Sequence, residues 1–275
     1  MKIKQNLHTH TTFCDGKNTV EEMAKAAVNA GLLSLGFSGH AYTPNDESYC
    51  MMPDDYEAYR NEILRVKKLY LGKLDVLVGL EQDYFSTEPS IETDYLIGSV
   101  HYVEKDGEYI PVDETKEHIE SAVNRLYGGD IYAFLEDYFR LVSDVHNKTH
   151  CDIVGHIDLC EKFNEDGKLF DRTAARYVKA YTKAVEKLVS EGCIFEINTG
   201  AMSRGYTTFP YPHENILRLI AEKGGSIIFS SDSHSTDSVD FKLDEVSELA
   251  AKCGFTEYAV FDGKNFFKEV LSCTA

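Results

Sequence analysis

Six histidines and three carboxylates, His8, His10, Asp15, His40, Glu81, His101, His156, Asp232 and His234, sit almost entirely at the ends of apolar runs. The runs are short: IKQNL before His8, LLSLGFSG before His40, LDVLVGL before Glu81, YLIGSV before His101, DIVG before His156 and SIIFSS before Asp232. Imidazole nitrogens and carboxylate oxygens without thiolates suit zinc, manganese or iron, and nothing in the sequence chooses among them. His8-Thr9-His10 and Asp232-Ser233-His234 place two donors at i and i+2, which strand alternation puts on one face. Nine donors exceed what one or two ions need. Three divalent ions sharing Glu81 as a bridge would use them all, and such a cluster suits hydrolysis by a metal-bridged hydroxide. A single histidine of this kind is an ordinary polar rim residue; recurrence at strand after strand points to a shared task.

The elements that must position these donors are legible as alternating patterns. Strand-like runs fall at 3–7, 33–38, 75–80, 95–100, 152–155, 193–197 and 226–231, with 257–261 as either an eighth strand or a terminal edge. Helical periodicity fills the gaps. Thr19 and Glu22 form a capping-box pattern closed by Gly31. Pro53 opens a helix running to Leu71 and stopped by Gly72. Two helices separated by Gly128-Gly129 cover 115–148, and further helices are predicted over 171–191, 212–223, 243–252 and 265–271. Strand then helix, repeated, implies parallel strands with right-handed crossovers. In an α/β barrel the C-terminal strand ends converge on one mouth, so donors scattered along the chain would meet there. Only 20 residues separate Glu81 from His101, and 85–94 has little helical pattern, so a distorted barrel is expected.

A chain of 275 residues accommodates one such barrel domain, spanning 1–275, and no linker or repeat divides it. The formal net charge of −18 argues against a broad nucleic-acid surface. Local charge differs: three divalent ions against three carboxylates leave about three positive charges, enough for a phosphate. No apolar run approaches the roughly 18 residues of a membrane span, and the N-terminus lacks an apolar signal core, so a cytoplasmic protein is expected. Seven cysteines, an odd number without a C-x-x-C pair, read as reduced structural thiols, Cys14 and Cys273 among them. His118, His146 and His150 read as ordinary helix residues.

The segments NLHTHTTFCDG (6–16), GFSGHA (36–41), GLEQDYF (79–85), DYLIGSVHYV (94–103), DIVGHIDLCEKF (152–163), FEINTGAMSRG (195–205) and SSDSH (230–234) carry a resemblance. In order and over most of the chain, they resemble the polymerase-and-histidinol-phosphatase (PHP) family, in particular its stand-alone phosphatases. The resemblance implies a distorted (βα)7 TIM-like barrel with a trinuclear metal centre. It assigns His8, His10, Glu81 and Asp232 to a first ion, Glu81, His101 and His156 to a second, and Asp15, His40 and His234 to a third. Glu81, Asp232 and His234 would carry the catalytic roles. Gly39 stands where relatives often carry an acidic residue.

The implied reaction is hydrolysis of the phosphomonoester L-histidinol phosphate in histidine biosynthesis. Substrate-binding candidates are Arg204, Lys162, which replaces a frequent arginine, and His213, read either as a proton donor or as a helix-start surface residue. Tyr42, Glu161 and Tyr206 are candidates for selecting the organic part of the substrate. The small phosphate ester is the expected partner; oligomeric state is not legible. Three rival readings stand beside this one: a PHP phosphoesterase acting on nucleotides or oligonucleotides, an amidohydrolase-type C–N hydrolase, and a non-catalytic metal-binding regulatory module. Glu81 as bridge and the D-x-H at 232–234 speak against the second, and the complete donor set against the third.

Overall fold

Seven of the apolar runs become parallel strands in the computed structural model, which describes residues 2–271. In chain order the strands are β1 (Gln5–Asn6), β2 (Ser34–Phe37), β3 (Asp75–Asp83), β4 (Tyr95–Ser99), β5 (Tyr102–Lys105), β6 (Glu108–Pro111), β7 (Ile153–Val154), β8 (Ile194–Asn198), β9 (Ser226–Ser230), β10 (Glu257–Phe261) and β11 (Phe266–Val270). The parallel sheet runs β1-β2-β3-β4-β7-β8-β9. Its ends meet just past β1 and β9, where His10 N–H donates to the Ser233 carbonyl at 2.8 Å and Ser233 N–H to the His8 carbonyl at 3.2 Å. The result is a nearly closed α/β barrel.

The helices are α1 (Val20–Ala30), α2 (Tyr56–Leu69), α3 (Lys116–Leu126), α4 (Ile131–Val142), α5 (Val145–Thr149), α6 (Ala175–Ser190), α7 (Gly200–Ser203), α8 (Glu214–Glu222) and α9 (Leu243–Cys253). The predicted start of α1 is present as a reciprocal capping box between Thr19 and Glu22, with Gly31 left-handed at φ 78°. α6 buries Tyr177, Tyr181, Ala184, Val185 and Leu188 at helical spacing, against the same core as α4. No helix among the described residues is long and apolar enough to cross a membrane.

Three departures from the sequence reading have local causes. First, β3 extends through Glu81 to Asp83, beyond the run read over 75–80, while its junction with β4 has no helix, as the short interval led us to expect. Second, an antiparallel hairpin, β5–β6, is inserted after His101, where no strands were anticipated. Third, the helix predicted over 265–271 is strand β11, paired antiparallel to β10. The reason is the intervening turn. Asp262 accepts from Lys264 N–H and Asn265 N–H, both at 2.8 Å, and Gly263 is left-handed at φ 90°. An Asp-Gly turn of this kind folds the chain back and outweighs a helical pattern of under two turns. The 257–261 run is therefore half of a separate hairpin, outside the barrel sheet.

That hairpin supports one end of the barrel. Ala259 and Phe261 pack with Leu7, Leu77, Tyr95, Ile97, Ile153 and Ile228 in one apolar cluster. The Gln5 side chain pairs with the Phe261 backbone, donating to its carbonyl at 2.8 Å and accepting from its N–H at 2.9 Å. Tyr95 lies across β2 and β3, with its hydroxyl donating to the Leu7 carbonyl. It fits because Gly36 and Gly79 have no side chains: a Cβ at Gly79 would fall 2.3 Å from the Tyr95 ring. Gly79→Ala is therefore expected to destabilise the fold by about 1–3 kcal/mol through overpacking, read as a lower urea midpoint at unchanged slope. Wild-type stability in that variant would contradict this account of the barrel interior.

Candidate metal centre

Above the apolar cluster, alternation along β3 carries the same face from Leu77 past Gly79 to Glu81. Glu81 is only 1% exposed and lies among five imidazoles from four strand ends. His8 Nε2 is 3.1 Å from its Oε2, His40 Nδ1 3.0 Å and His10 Nε2 3.6 Å. His156 Nε2 is 2.9 Å from its Oε1, His101 Nε2 3.6 Å, and the Ser99 hydroxyl donates to the same oxygen at 2.6 Å. Asp232 Oδ1 lies 3.2 Å from His10 Nε2 and 3.7 Å from His8 Nε2. Asp15 completes the cluster, 3.1 Å from His234 Nε2 and 3.7 Å from His40 Nε2. All nine donors anticipated from the sequence are together.

Their convergence does not come from simple strand alternation. β1 ends at Asn6 and β9 at Ser230, so both i, i+2 pairs lie beyond their strands. Asp232 is left-handed, with φ 47°, a conformation that aspartate tolerates better than most residues. The closing bonds between His8, His10 and Ser233 hold the two pairs face to face instead.

Several ligand rings are oriented from behind. His8 Nδ1 contacts Glu196 Oε1 at 2.5 Å, His101 Nδ1 contacts Asp83 Oδ2 at 3.2 Å, and His234 Nδ1 contacts the Asp232 carbonyl at 3.0 Å. In each, a proton on Nδ1 leaves Nε2 with a free lone pair. The buried atoms His8 Nε2, His10 Nε2 and Glu81 Oε2 have no hydrogen-bond partner. His8 and Glu81 are close enough for one, but the angles fail, and two donor atoms facing each other this way fit a shared cation. Three groupings have donor atoms within 4.8 Å of one another: His10, Asp15, His40 and His234; His8, His10 and Asp232; and His40, Glu81 and His101. The donor set fits divalent metal.

The electrostatics agree with that chemistry. Burial opposes ionisation of Glu81, yet His8 and His40 outweigh it and hold the carboxyl well below its usual range. Burial likewise opposes ionisation of Asp232, and Arg204 and His8 reverse it. Within the His8-Thr9-His10 pair the rings diverge. Burial depresses His10 to about 3, helped by His234 and His40, whereas at His8 the carboxylates Glu196, Glu81 and Asp232 overcome burial and raise it.

The cluster forms one side of a cavity of about 370 Å³. Arg204 lines it, with its guanidinium 3.1 Å from Asp232 Oδ2 and 3.1 Å from His234 Nδ1. Gly200 leaves room for this pair, since a Cβ there would meet both partners below 3.0 Å. Lys162 also lines the cavity; Asp113 holds its ammonium at 2.6 Å through the carbonyl and 3.1 Å through the carboxylate, above the Tyr206 ring. His213 is not among the lining residues. It caps α8 by accepting from Asn215 N–H at 3.4 Å and meets Phe209 edge-on. Its helix-start reading is the one the geometry favours.

Of the residues considered for substrate selection, Tyr206 lines the cavity, whereas Tyr42 donates to Glu47 and Glu161 is buried against Tyr177 and Arg172. Asp46, Tyr49, Tyr102 and Asp113 line it and were not anticipated. Glu196 and Asp83 were also missed, although a carboxylate inside an apolar run, as in IFEIN, was a usable signal. His146 Nδ1–H donates to the Cys151 carbonyl, and the six described cysteines are free thiols; Cys273 lies outside the described residues.

The purified protein is expected to carry transition-metal ions. An ion at about 100 times its dissociation constant adds roughly 2.7 kcal/mol, so chelation should lower the melting temperature and re-addition restore it. No metal by elemental analysis and no shift with added zinc, manganese or iron would contradict the assignment.

The PHP domain model matches residues 6–200. A protein of Schizosaccharomyces pombe named "Probable histidinol-phosphatase" is 30% identical, aligned over 95% of this chain and 90% of its own. The "Histidinol-phosphatase" of Bacillus subtilis is 27% identical over 89% of this chain and 98% of its own. The solved histidinol phosphate phosphatase of Lactococcus lactis, complexed with zinc, L-histidinol and phosphate, shares the fold with a TM-score of 0.72 at 22% identity, over 96% of this chain and 98% of its own. On motif, fold and donor set together, the chain belongs to the PHP domain family.

Proposed function

We propose that this chain is a metal-dependent phosphomonoesterase that hydrolyses L-histidinol phosphate to L-histidinol and phosphate. The observation carrying this reading is the gathering of six imidazoles and three carboxylates around Glu81, beside a cavity that also presents Arg204 and Lys162. The full-length similarity to proteins named as histidinol-phosphatases supports the choice of ester.

Three divalent ions are assigned as follows: His8, His10, Glu81 and Asp232 hold one, Glu81, His101 and His156 a second, and Asp15, His40 and His234 a third. Bound there, such ions supply Lewis acidity toward phosphoryl oxygens and activate water as nucleophile. Zinc, manganese and iron all suit the nitrogen and oxygen donors.

The protein's own groups do the remaining work. Glu81 and Asp232 place fixed negative charge where cations must sit, and burial keeps water from screening it. Arg204 is held by Asp232, through its carboxylate at 3.1 Å and its carbonyl at 3.2 Å, which leaves its remaining N–H groups for a phosphoryl oxygen on the cavity side. Lys162 adds a point charge to the same cavity, steadied by Asp113 and the Tyr206 face. The acidic chain thus presents a locally cationic pocket to an anionic substrate. Its interior supports a small ester, and this is the basis for preferring that substrate to a polymer.

Phosphate release from metal-loaded protein, screened over many esters, tests the reading. Histidinol phosphate is expected to be the best substrate; a mononucleotide or short oligonucleotide turned over faster would replace it. Arg204→Ala is expected to lower kcat/KM about 10²–10³-fold, the range for losing one preorganised charge donor. Arg204→Lys should restore only part of that loss, because lysine lacks the forked geometry. Wild-type kinetics in Arg204→Ala would remove the residue from phosphate binding.

A further inference from the structure

Glu196 lies in β8 and is 1% exposed. Its two oxygens receive four hydrogen-bond contacts from four different strands or strand ends. On Oε1 they come from His8 Nδ1 at 2.5 Å and the Ser230 hydroxyl; on Oε2, from His156 N–H at 2.9 Å and Asn198 Nδ2 at 2.9 Å. Glu196 makes no hydrogen bond or ion pair with Arg204 or Lys162 and does not line the cavity, so it is not placed to touch substrate.

Every one of these partners can donate, and two of them, the His156 backbone amide and the Asn198 amide nitrogen, can only donate. Oε2 must therefore accept, whereas Oε1 faces two groups that can donate or accept; an ionised carboxylate, accepting at both ends, takes the protons of His8 Nδ1 and the Ser230 hydroxyl. Ionised Glu196 in this way decides the tautomer of His8. With Oε1 as acceptor, the His8 proton resides on Nδ1 and the Nε2 lone pair is free toward Glu81 and Asp232. The same carboxylate pins the backbone that presents His156, whose Nε2 reaches the other oxygen of Glu81.

We propose that Glu196 is a positioning residue that sets the His8 tautomer and anchors His156, and so governs ion binding at the two sites that meet on Glu81. The proposal rests on the ion assignment above but not on the identity of the ester. It leaves the third site, of Asp15, His40 and His234, outside its reach: those side chains have no contact with Glu196.

Glu196→Gln is the sharpest test, because the substitution keeps the shape. The glutamine carbonyl must face His156 N–H and Asn198 Nδ2, which cannot accept. Its NH₂ then faces His8, whose Nδ1 becomes an acceptor and whose proton moves to Nε2, in the path of the ion. The expected results are a 10–100-fold weaker dissociation constant for one or two ions by chelator competition, in keeping with loss of such a supporting partner, and unchanged affinity for the remaining one. In ¹⁵N-histidine spectra of the zinc-loaded protein, the variant should lose one ring that in wild type carries its proton on Nδ1 and coordinates through Nε2. Glu196→Asp, which retains the charge but falls short of His8 by a methylene, should give the same selective loss of ions.

Three distinct ion affinities equal to wild type, in either variant, would overturn the proposal, as would uniform weakening of all sites. If Glu196→Gln does not fold even with metal, the Glu196→Asp affinities decide. Failure of the substrate reading would appear separately, as poor turnover of histidinol phosphate by wild-type protein with full ion occupancy.

Discussion

A carboxylate fully buried inside a β-barrel is tolerable only if something compensates its charge, and Glu81 is the point at which this protein meets that constraint. Removing an ionised group from water costs several kcal/mol unless partners replace its solvation. Five imidazoles and a hydroxyl occupy that role around Glu81. Their ring nitrogens point inward with lone pairs or protons available, so the arrangement is consistent only with positive charge at the centre. The remaining structure can be understood as the means of holding those rings in place.

The barrel does this in layers. At the lower level Tyr95, Ile97, Leu77, Ile153 and Ile228 fill the interior with apolar volume, and the β10–β11 hairpin supports it through Ala259 and Phe261. One level up, the same alternating positions become Ser99, Glu81, Glu196 and Ser230, a connected polar stratum. Above that, the strand ends supply the imidazoles. Each level fixes the one above it: apolar packing aligns the strands, and the polar stratum decides which ring nitrogen carries a proton. Placing the site on strand ends with locked second partners gives it the rigidity that a loop-borne cluster would lack.

The contrast between a net charge of −18 and a pocket built for an anion is resolved by position. Most acidic residues lie on helices and loops, where water screens them within about a Debye length. Within the cavity, screening is weak, and Arg204 and Lys162 dominate, together with any cation the donor cluster binds. The same separation explains the pairings there: Asp113 and Asp232 each hold a basic residue in place while leaving part of its charge directed at the cavity.

Much of this was legible in the sequence because it depends on local pattern. The period of apolar residues, the capping box at Thr19, the helix-ending glycines and the donors that close apolar runs are all properties of short segments, and they determined the α/β class and the nine donors. The shortage of residues between Glu81 and His101 even disclosed the missing helix. What the sequence left open depends on contacts between distant segments. The β10–β11 hairpin followed turn chemistry that the helical period obscured. His213 turned to cap a helix rather than face the cavity, and Glu196 met His8 across 188 positions of chain. Residue types and spacing set which groups are able to bind a cation. Only the assembled barrel determined which nitrogen of His8 and of His101 would face it, because in those rings the tautomer is chosen by the partner behind, Glu196 or Asp83, and that partner lies on another strand.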